Sequence, residues 1–203
     1  ADGAAVIYTA DEDGLLGAFA VADTPRPESK EAIAELSRLG VRSVMLTGDA
    51  AQAAEHIAET VGVSEFHASL SPAGKGEKIR EISAVEKVAM VGDGINDALP
   101  LVAADIGIAM GRGSDVAIES CDVVLRRDDV RDVVKLVRLG RLTLRKVREN
   151  LFWALIYNCI CIPIAAGALT GLGVTLSPMM ASAAMALSSL TVVLNALTIR
   201  YFH

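Results

Sequence analysis

From Asn150 to His203 the chain carries one Lys, Arg, Asp or Glu, the arginine at 200. No other feature limits the fold as strongly. Within this region two apolar stretches, 151–169 and 178–199, each approach the roughly 20 residues with which an α-helix crosses a bilayer. Gly171-Leu172-Gly173 supplies a turn between them, so a two-helix transmembrane hairpin is expected. Lys and Arg residues just before 151, and Arg200 after the second stretch, place both flanks on the cytoplasmic side.

The rest of the chain has the opposite character. The other 18 of the 19 basic residues and all 25 acidic ones fall in 1–149, a formal balance of −7. That balance speaks against a nucleic-acid partner. The 52% hydrophobic content excludes a disordered chain, and three cysteines, two of them inside an apolar stretch, exclude a disulfide scaffold. The first residues lack the basic start and apolar core of a signal peptide.

Strand and helix signals alternate through the charged part. Residues 4–9 and 15–21 read as strands around an Asp-Glu-Asp-Gly turn, and Asp23-Thr24-Pro25-Arg26-Pro27 reads as a hinge. A helix opening at Pro27 and closing at Gly40 precedes a strand at 41–46. Helices are expected over 51–61, 72–83, 96–103 and near 114–119. Strands are expected near Phe66 and at 87–92, 106–110 and 123–125. This alternation predicts an α/β domain with a parallel sheet covered on both faces, whose ligands sit beyond the carboxyl ends of the strands. The charged helix 128–150 then runs without a break into the first apolar stretch.

Two turns at strand ends carry chemistry. Thr47-Gly48-Asp49 offers a hydroxyl and a carboxylate, although the same pattern also caps helices. Asp93, Asn96 and Asp97 place two carboxylates and an amide within five residues, an oxygen-rich set suited to Mg²⁺. A calcium-binding EF-hand loop does not fit, because the twelfth position from Asp93 is Ala104. Lys75 is the candidate cation for a phosphoryl group, with Lys78 one turn later as its competitor.

Leu-Thr-Gly-Asp at 46–49, Pro-x-x-Lys at 72–75 and Met-Val-Gly-Asp-Gly-Ile-Asn-Asp-Ala at 90–98 resemble the phosphorylation domain of P-type ATPases. That domain is of the haloacid-dehalogenase-like group. The likeness continues through 104–125 and the Asn-Leu-Phe-Trp-Ala-Leu-Ile-Tyr-Asn segment. It implies that Thr47 binds the phosphoryl group and Asp49 shapes the nucleotide and phosphate site. By the same resemblance Lys75 neutralises phosphate charge, Asp93 holds Mg²⁺, and Asn96 and Asp97 position the ion and the phosphate. ATP would be the substrate. The resemblance divides the chain into the end of a nucleotide-binding domain with a hinge (1–22), a partial phosphorylation domain (23–127), a basic stalk helix (128–150) and transmembrane helices at 151–169 and 178–199.

Two departures stand out. The family's acidic residues between Pro and Lys are Ala73 and Gly74 here, which leaves Lys75 and Lys78 in competition. The family's nucleophilic Asp-Lys-Thr-Gly-Thr motif does not occur in these residues. The resemblance therefore implies the C-terminal part of a pump, inactive alone, whose partners are the remaining nucleotide, actuator and transmembrane segments. It also implies a multi-pass cell-membrane protein with its phosphorylation domain in the cytoplasm.

Neither apolar stretch contains Asp, Glu, Lys or His. Sulfur donors favour soft monovalent ions. Tyr157-Asn158 with Pro163, together with Met185 and Ser189, resemble the membrane pattern of copper-transporting P-type ATPases. By that resemblance Tyr157, Asn158, Met185 and Ser189 serve the transported Cu⁺, with Ag⁺ sharing the same ligand preferences and a copper chaperone as a partner. Two other classes remain. One is a membrane-anchored phosphatase of the dehalogenase-like group, which would use Asp11-Glu12-Asp13. The other is a non-catalytic pump subunit.

Overall fold

An antiparallel pair opens the fold: β1 (Ala5–Asp11) and β2 (Gly14–Val21). The Asp11 carboxylate accepts the Gly14 N–H at 3.1 Å and closes the turn. Both faces of this ribbon carry exposed apolar side chains, among them Ile7, Tyr8, Leu16 and Phe19. The computed structural model describes residues 5–12, 14–21, 24–92, 97–111, 119, 121–173 and 177–201.

Among the described residues every strand pairing from 44 to 125 is parallel. β3 (Val44–Leu46) pairs with β4 (Glu65–His67), and β5 (Ala89–Gly92) pairs with β6 (Ile106–Met110), which pairs with β7 (Val123–Leu125). The intervening helices are α1 (Ser29–Arg38), α2 (Ala51–Val61), α3 (Pro72–Ser83) and α4 (Ala98–Ala103). β6 is buried from Gly107 to Met110, as a central parallel strand covered on both faces must be. Ile79, Met90 and Leu101 form a core cluster, with Leu46 and Val88 packed against it. The helix expected near 114–119 lies, apart from Glu119, outside the described residues.

The strand expected over 41–46 is shorter than its apolar pattern. The Val41 N–H is spent on the Leu36 carbonyl, at 2.9 Å, in the turn that ends α1. The ladder therefore begins only at Val44.

The chain divides into two units, 1–134 and 135–203. In the second, the expected stalk and first apolar stretch form one helix, α5 (Arg131–Ala165), which begins at the end of the first unit. It stops short of the expected residue 169. Gly167 adopts φ +91°, the Ala168 N–H reaches the Pro163 carbonyl and the Gly167 N–H reaches the Ile164 carbonyl, at 3.0 Å each. This paired closure terminates a helix at a left-handed residue. The helical part of the stretch, 151–165, thus extends about 22 Å, less than the roughly 30 Å hydrocarbon core. The last helix, α6 (Pro178–Leu197), is capped by the Ser177 hydroxyl and continues as a tight turn to Tyr201. Residues 179–201 are long and apolar enough to cross a membrane, and none of that segment is buried. Among the described residues it is the one helix that meets this test.

Candidate functional site

The site begins at the ends of β3 and β5. β3 runs into Thr47, whose N–H binds the His67 carbonyl while its own carbonyl accepts the Leu70 N–H, at 3.0 Å each. These bonds tie the loop after β3 to the loop after β4. The Thr47 hydroxyl donates to Asp49 Oδ2 at 2.6 Å and accepts the Asp49 N–H at 3.1 Å. Hydroxyl and carboxylate are thereby held together beyond a strand terminus.

The second half is built by α3 and α4. The Ser71 hydroxyl accepts the Gly74 N–H at 3.1 Å, and Pro72 starts the helix, so Lys75 falls in the first turn of α3. Lys75 Nζ donates to Asp97 Oδ1 at 3.0 Å, with side chains only 16% and 13% exposed. Lys78 instead pairs with Glu81 at 2.9 Å, and this pair holds the Glu81 carboxyl below its usual range. The geometry therefore separates two lysines that the sequence left in competition.

Gly92, the last residue of β5, is needed here for space. A Cβ at that position would stand 2.8 Å from Asp97 Cβ and 2.9 Å from Asp97 Oδ2. Only a residue without a side chain lets the carboxylate approach the strand end. Asp97 and Gly92 line a cleft together with Arg26, Ser29, Val91, Met110 and Val130. The cleft opens at the carboxyl ends of β5 and β6, where open parallel sheets bind ligands.

Arg26 is the lining residue that sequence reasoning missed. Its flanking prolines made the segment look like a simple hinge. Arg26 Nη1 bonds both the Asp128 backbone carbonyl and its carboxylate, at 2.6 Å each. The signal available was a lone cation between two prolines, too common to single out.

The structure thus joins Thr47 to Asp49 and Lys75 to Asp97, and no hydrogen bond among the described residues links the two pairs. Asp93 and Asn96 lie outside the described residues. Asp11 serves its turn, and Asp13 of the alternative Asp-x-Asp motif also lies outside them. Oxygen donors of Asp97 beside a lysine suit Mg²⁺ and a phosphoryl oxyanion.

In the second unit, Tyr157 is half-buried on α5, whereas Asn158, Met185 and Ser189 are exposed. Asn158 Nδ2 donates to the Ala154 carbonyl at 3.1 Å. Pro163 has no N–H, so it cannot make the helical bond to the Cys159 carbonyl. Cys159 is exposed and Cys161 half-buried, and neither forms a disulfide. Among the described residues no cluster of three His, Cys, Asp or Glu forms a metal site.

Comparisons with known proteins show the family. Residues 1–105 match the haloacid dehalogenase-like hydrolase family, and a second model of the same description matches 75–136. The chain is 44% identical over 198 residues to the copper-exporting P-type ATPase B of Archaeoglobus fulgidus, covering 98% of this chain and 29% of that protein. It is 44% identical over 201 residues to a silver exporting P-type ATPase of Salmonella typhimurium, covering 98% of this chain and 24% of that protein. The structure superposes on a crystal structure of a zinc-transporting PIB-type ATPase in its E2.Pi state. The TM-score is 0.85 and the identity 39%, covering 98% of this chain and 32% of the other. The chain spans less than a third of each relative.

Proposed function

Because the chain belongs to the haloacid dehalogenase-like hydrolase family, we propose that it forms the phosphate-handling part and two membrane helices of an ATP-driven copper(I) export pump. The observation that carries this reading is the largely buried Lys75–Asp97 pair, whose Asp97 lines a cleft at the strand ends.

In this reading Lys75 is held by Asp97 until a phosphoryl group enters. Its ammonium then lies within reach of a phosphate oxygen, neutralising charge that would otherwise build up on transfer. Thr47 donates its hydroxyl to a second phosphate oxygen in exchange for its bond to Asp49. Asp97, with Asp93 and Asn96, would hold Mg²⁺. When bound, that ion would withdraw charge from the transferring group. The phosphorylated aspartate lies outside these 203 residues, so ATP turnover requires the remainder of the pump, including its nucleotide and actuator domains. The exposed apolar faces of β1 and β2 are surfaces that the rest of the nucleotide-binding domain would cover.

The helices α5 and α6 form a transmembrane hairpin in this reading, with the phosphorylation domain cytoplasmic. Tyr157, Asn158, Met185 and Ser189 pass the cargo. Thioether and amide donors without a carboxylate suit Cu⁺ or Ag⁺ better than Zn²⁺. The copper and silver relatives support that choice, and the zinc-transporting neighbour supports the architecture.

The test is ATP hydrolysis by the full-length protein with Cu⁺, Ag⁺ or Zn²⁺. Stimulation by Cu⁺ and Ag⁺, absent in Lys75→Ala, is expected. Stimulation by Zn²⁺ alone overturns the cargo, and full activity of Lys75→Ala overturns the site.

A further inference from the structure

A knot of side-chain hydrogen bonds joins α5 to α6 at one end. Asn195 Oδ1 accepts from Lys146 Nζ at 2.9 Å, and Asn195 Nδ2 donates to Glu149 Oε2 at 3.2 Å and Asn150 Oδ1 at 2.8 Å. Glu149 also takes Lys146 on Oε2 at 2.9 Å and Arg145 on Oε1 at 3.1 Å. Two cations, Lys146 and Arg145, share the Glu149 carboxylate, and the Asn195 amide has a partner on its oxygen and two on its nitrogen. A flipped amide would set its NH₂ against the Lys146 ammonium, so its orientation is fixed.

Such a cluster is register-specific. Lys146, Glu149 and Asn150 lie three and four residues apart, on one face of α5. One residue of α6 addresses all of them. A slip of one turn would offer Thr191 or Ile199 in its place. Ile199 has no polar group, and the Thr191 hydroxyl already serves the Leu187 carbonyl. An asparagine left without partners in apolar surroundings is costly, so the slipped state is penalised.

The cluster also fixes depth. From Glu149 to Tyr157 and Asn158 is eight or nine residues along α5, about 12–13 Å. From Asn195 back to Ser189 and Met185 is six to ten residues along α6, about 9–15 Å. The two pairs therefore stand level. We infer that Asn195 is a positioning residue that sets the register of α6 against α5, bringing Met185 and Ser189 to the depth of Tyr157 and Asn158. The register stands on the hydrogen bonds, and its use in transport rests on the copper reading above.

Spin labels at Leu155→Cys and Leu190→Cys, exposed positions near the same depth, report the register in the 203-residue chain held in phosphatidylcholine nanodiscs, with Cys121, Cys159 and Cys161 replaced by Ser. One narrow distance distribution is expected. Asn195→Leu should shift or broaden it, on the scale of one helical turn, about 5.4 Å. The double variant Glu149→Gln, Asn150→Ala, which removes partners from the α5 side, should do the same with helicity retained. Thr191→Val, a polar loss on the same helix, should leave it unchanged. An unchanged distribution in Asn195→Leu, or an equal shift in Thr191→Val, overturns the inference. Competition for Cu⁺ against bicinchoninate is the second arm. Asn195→Leu should weaken Cu⁺ binding by the full-length pump, because Met185 and Ser189 then leave the depth of Tyr157 and Asn158. If the distance responds to Asn195 but the full-length pump binds no Cu⁺, the register stands and the copper reading falls.

Discussion

Among the described residues every buried apolar side chain lies in 32–134, whereas those of 135–203 are half-buried or displayed. Leu101 is 1% exposed and Ile108 2%, whereas Leu187, Leu190, Val193 and Leu194 on α6 are each more than half exposed. The chemistry of these side chains is the same; the solvent each region is built for differs. The first unit removes apolar area from water by folding on itself. The second keeps its polar groups satisfied within and between helices and leaves apolar area for lipid or other helices to cover. Asn195, Thr191 and Thr198 all bond inside this unit rather than outward.

The largest expected effect that sharpens the contrast is catalytic. In the full-length pump, Asp97→Ala should lower Cu⁺-stimulated ATP hydrolysis by about two to three orders of magnitude, in the range of losing one preorganised charge-stabilising group. Met185→Ala should lower Cu⁺ affinity while leaving Cu⁺-independent hydrolysis of a small phosphoester by the same full-length pump unchanged. An equal loss in both assays would break the division between the two regions.

Packing comes next. Leu101→Ala should destabilise the first unit by about 2–5 kcal/mol in urea unfolding, because it empties a buried site beside Ile79 and Met90. Leu190→Ala on the exposed face of α6 should leave that transition in place. A shared loss would mean that the two regions unfold as one. Gly92→Ala should cost less, about 1–3 kcal/mol, as its methyl group forces Asp97 away. Hydrolysis should fall further than stability.

The smallest effect concerns pH. Asp105 accepts from the Lys87 ammonium and from the Val88 N–H, at 3.0 Å for the latter, and both hold its carboxyl below the usual carboxylate range. The stabilisation is fully present above the ordinary carboxylate pKa and is lost as pH falls through the lowered one. Asp105→Asn should flatten the acid limb of the first unit's stability profile. The midpoint for loss of α6 helicity in lipid should not move.

Much of the fold was legible because punctuation is local. Ser71-Pro72 opens α3, and Gly62 at φ +83° closes α2; each acts through its own backbone. The short β3 and the early end of α5 were not legible. Both depend on which carbonyl a particular N–H reaches, Leu36 for Val41 and Pro163 for Ala168. The candidate site divides in the same way. Thr47 and Asp49 are two residues apart and meet through a local turn. Lys75 and Asp97 are 22 residues apart and meet only because α3 packs on α4.

Composition and spacing alone determined that charge would be confined to 1–149 save Arg200, that parallel strands would alternate with helices, and that Asp49 and Asp97 would stand in turns after strands. Tertiary structure alone decided that Lys75, and not Lys78, faces Asp97, that Arg26 enters the cleft, and that Asn195 answers three side chains on α5. The reason is one of range. Periodicity and turn chemistry act between near neighbours, whereas a charge finds its partner only after the chain has brought distant segments within about 3 Å.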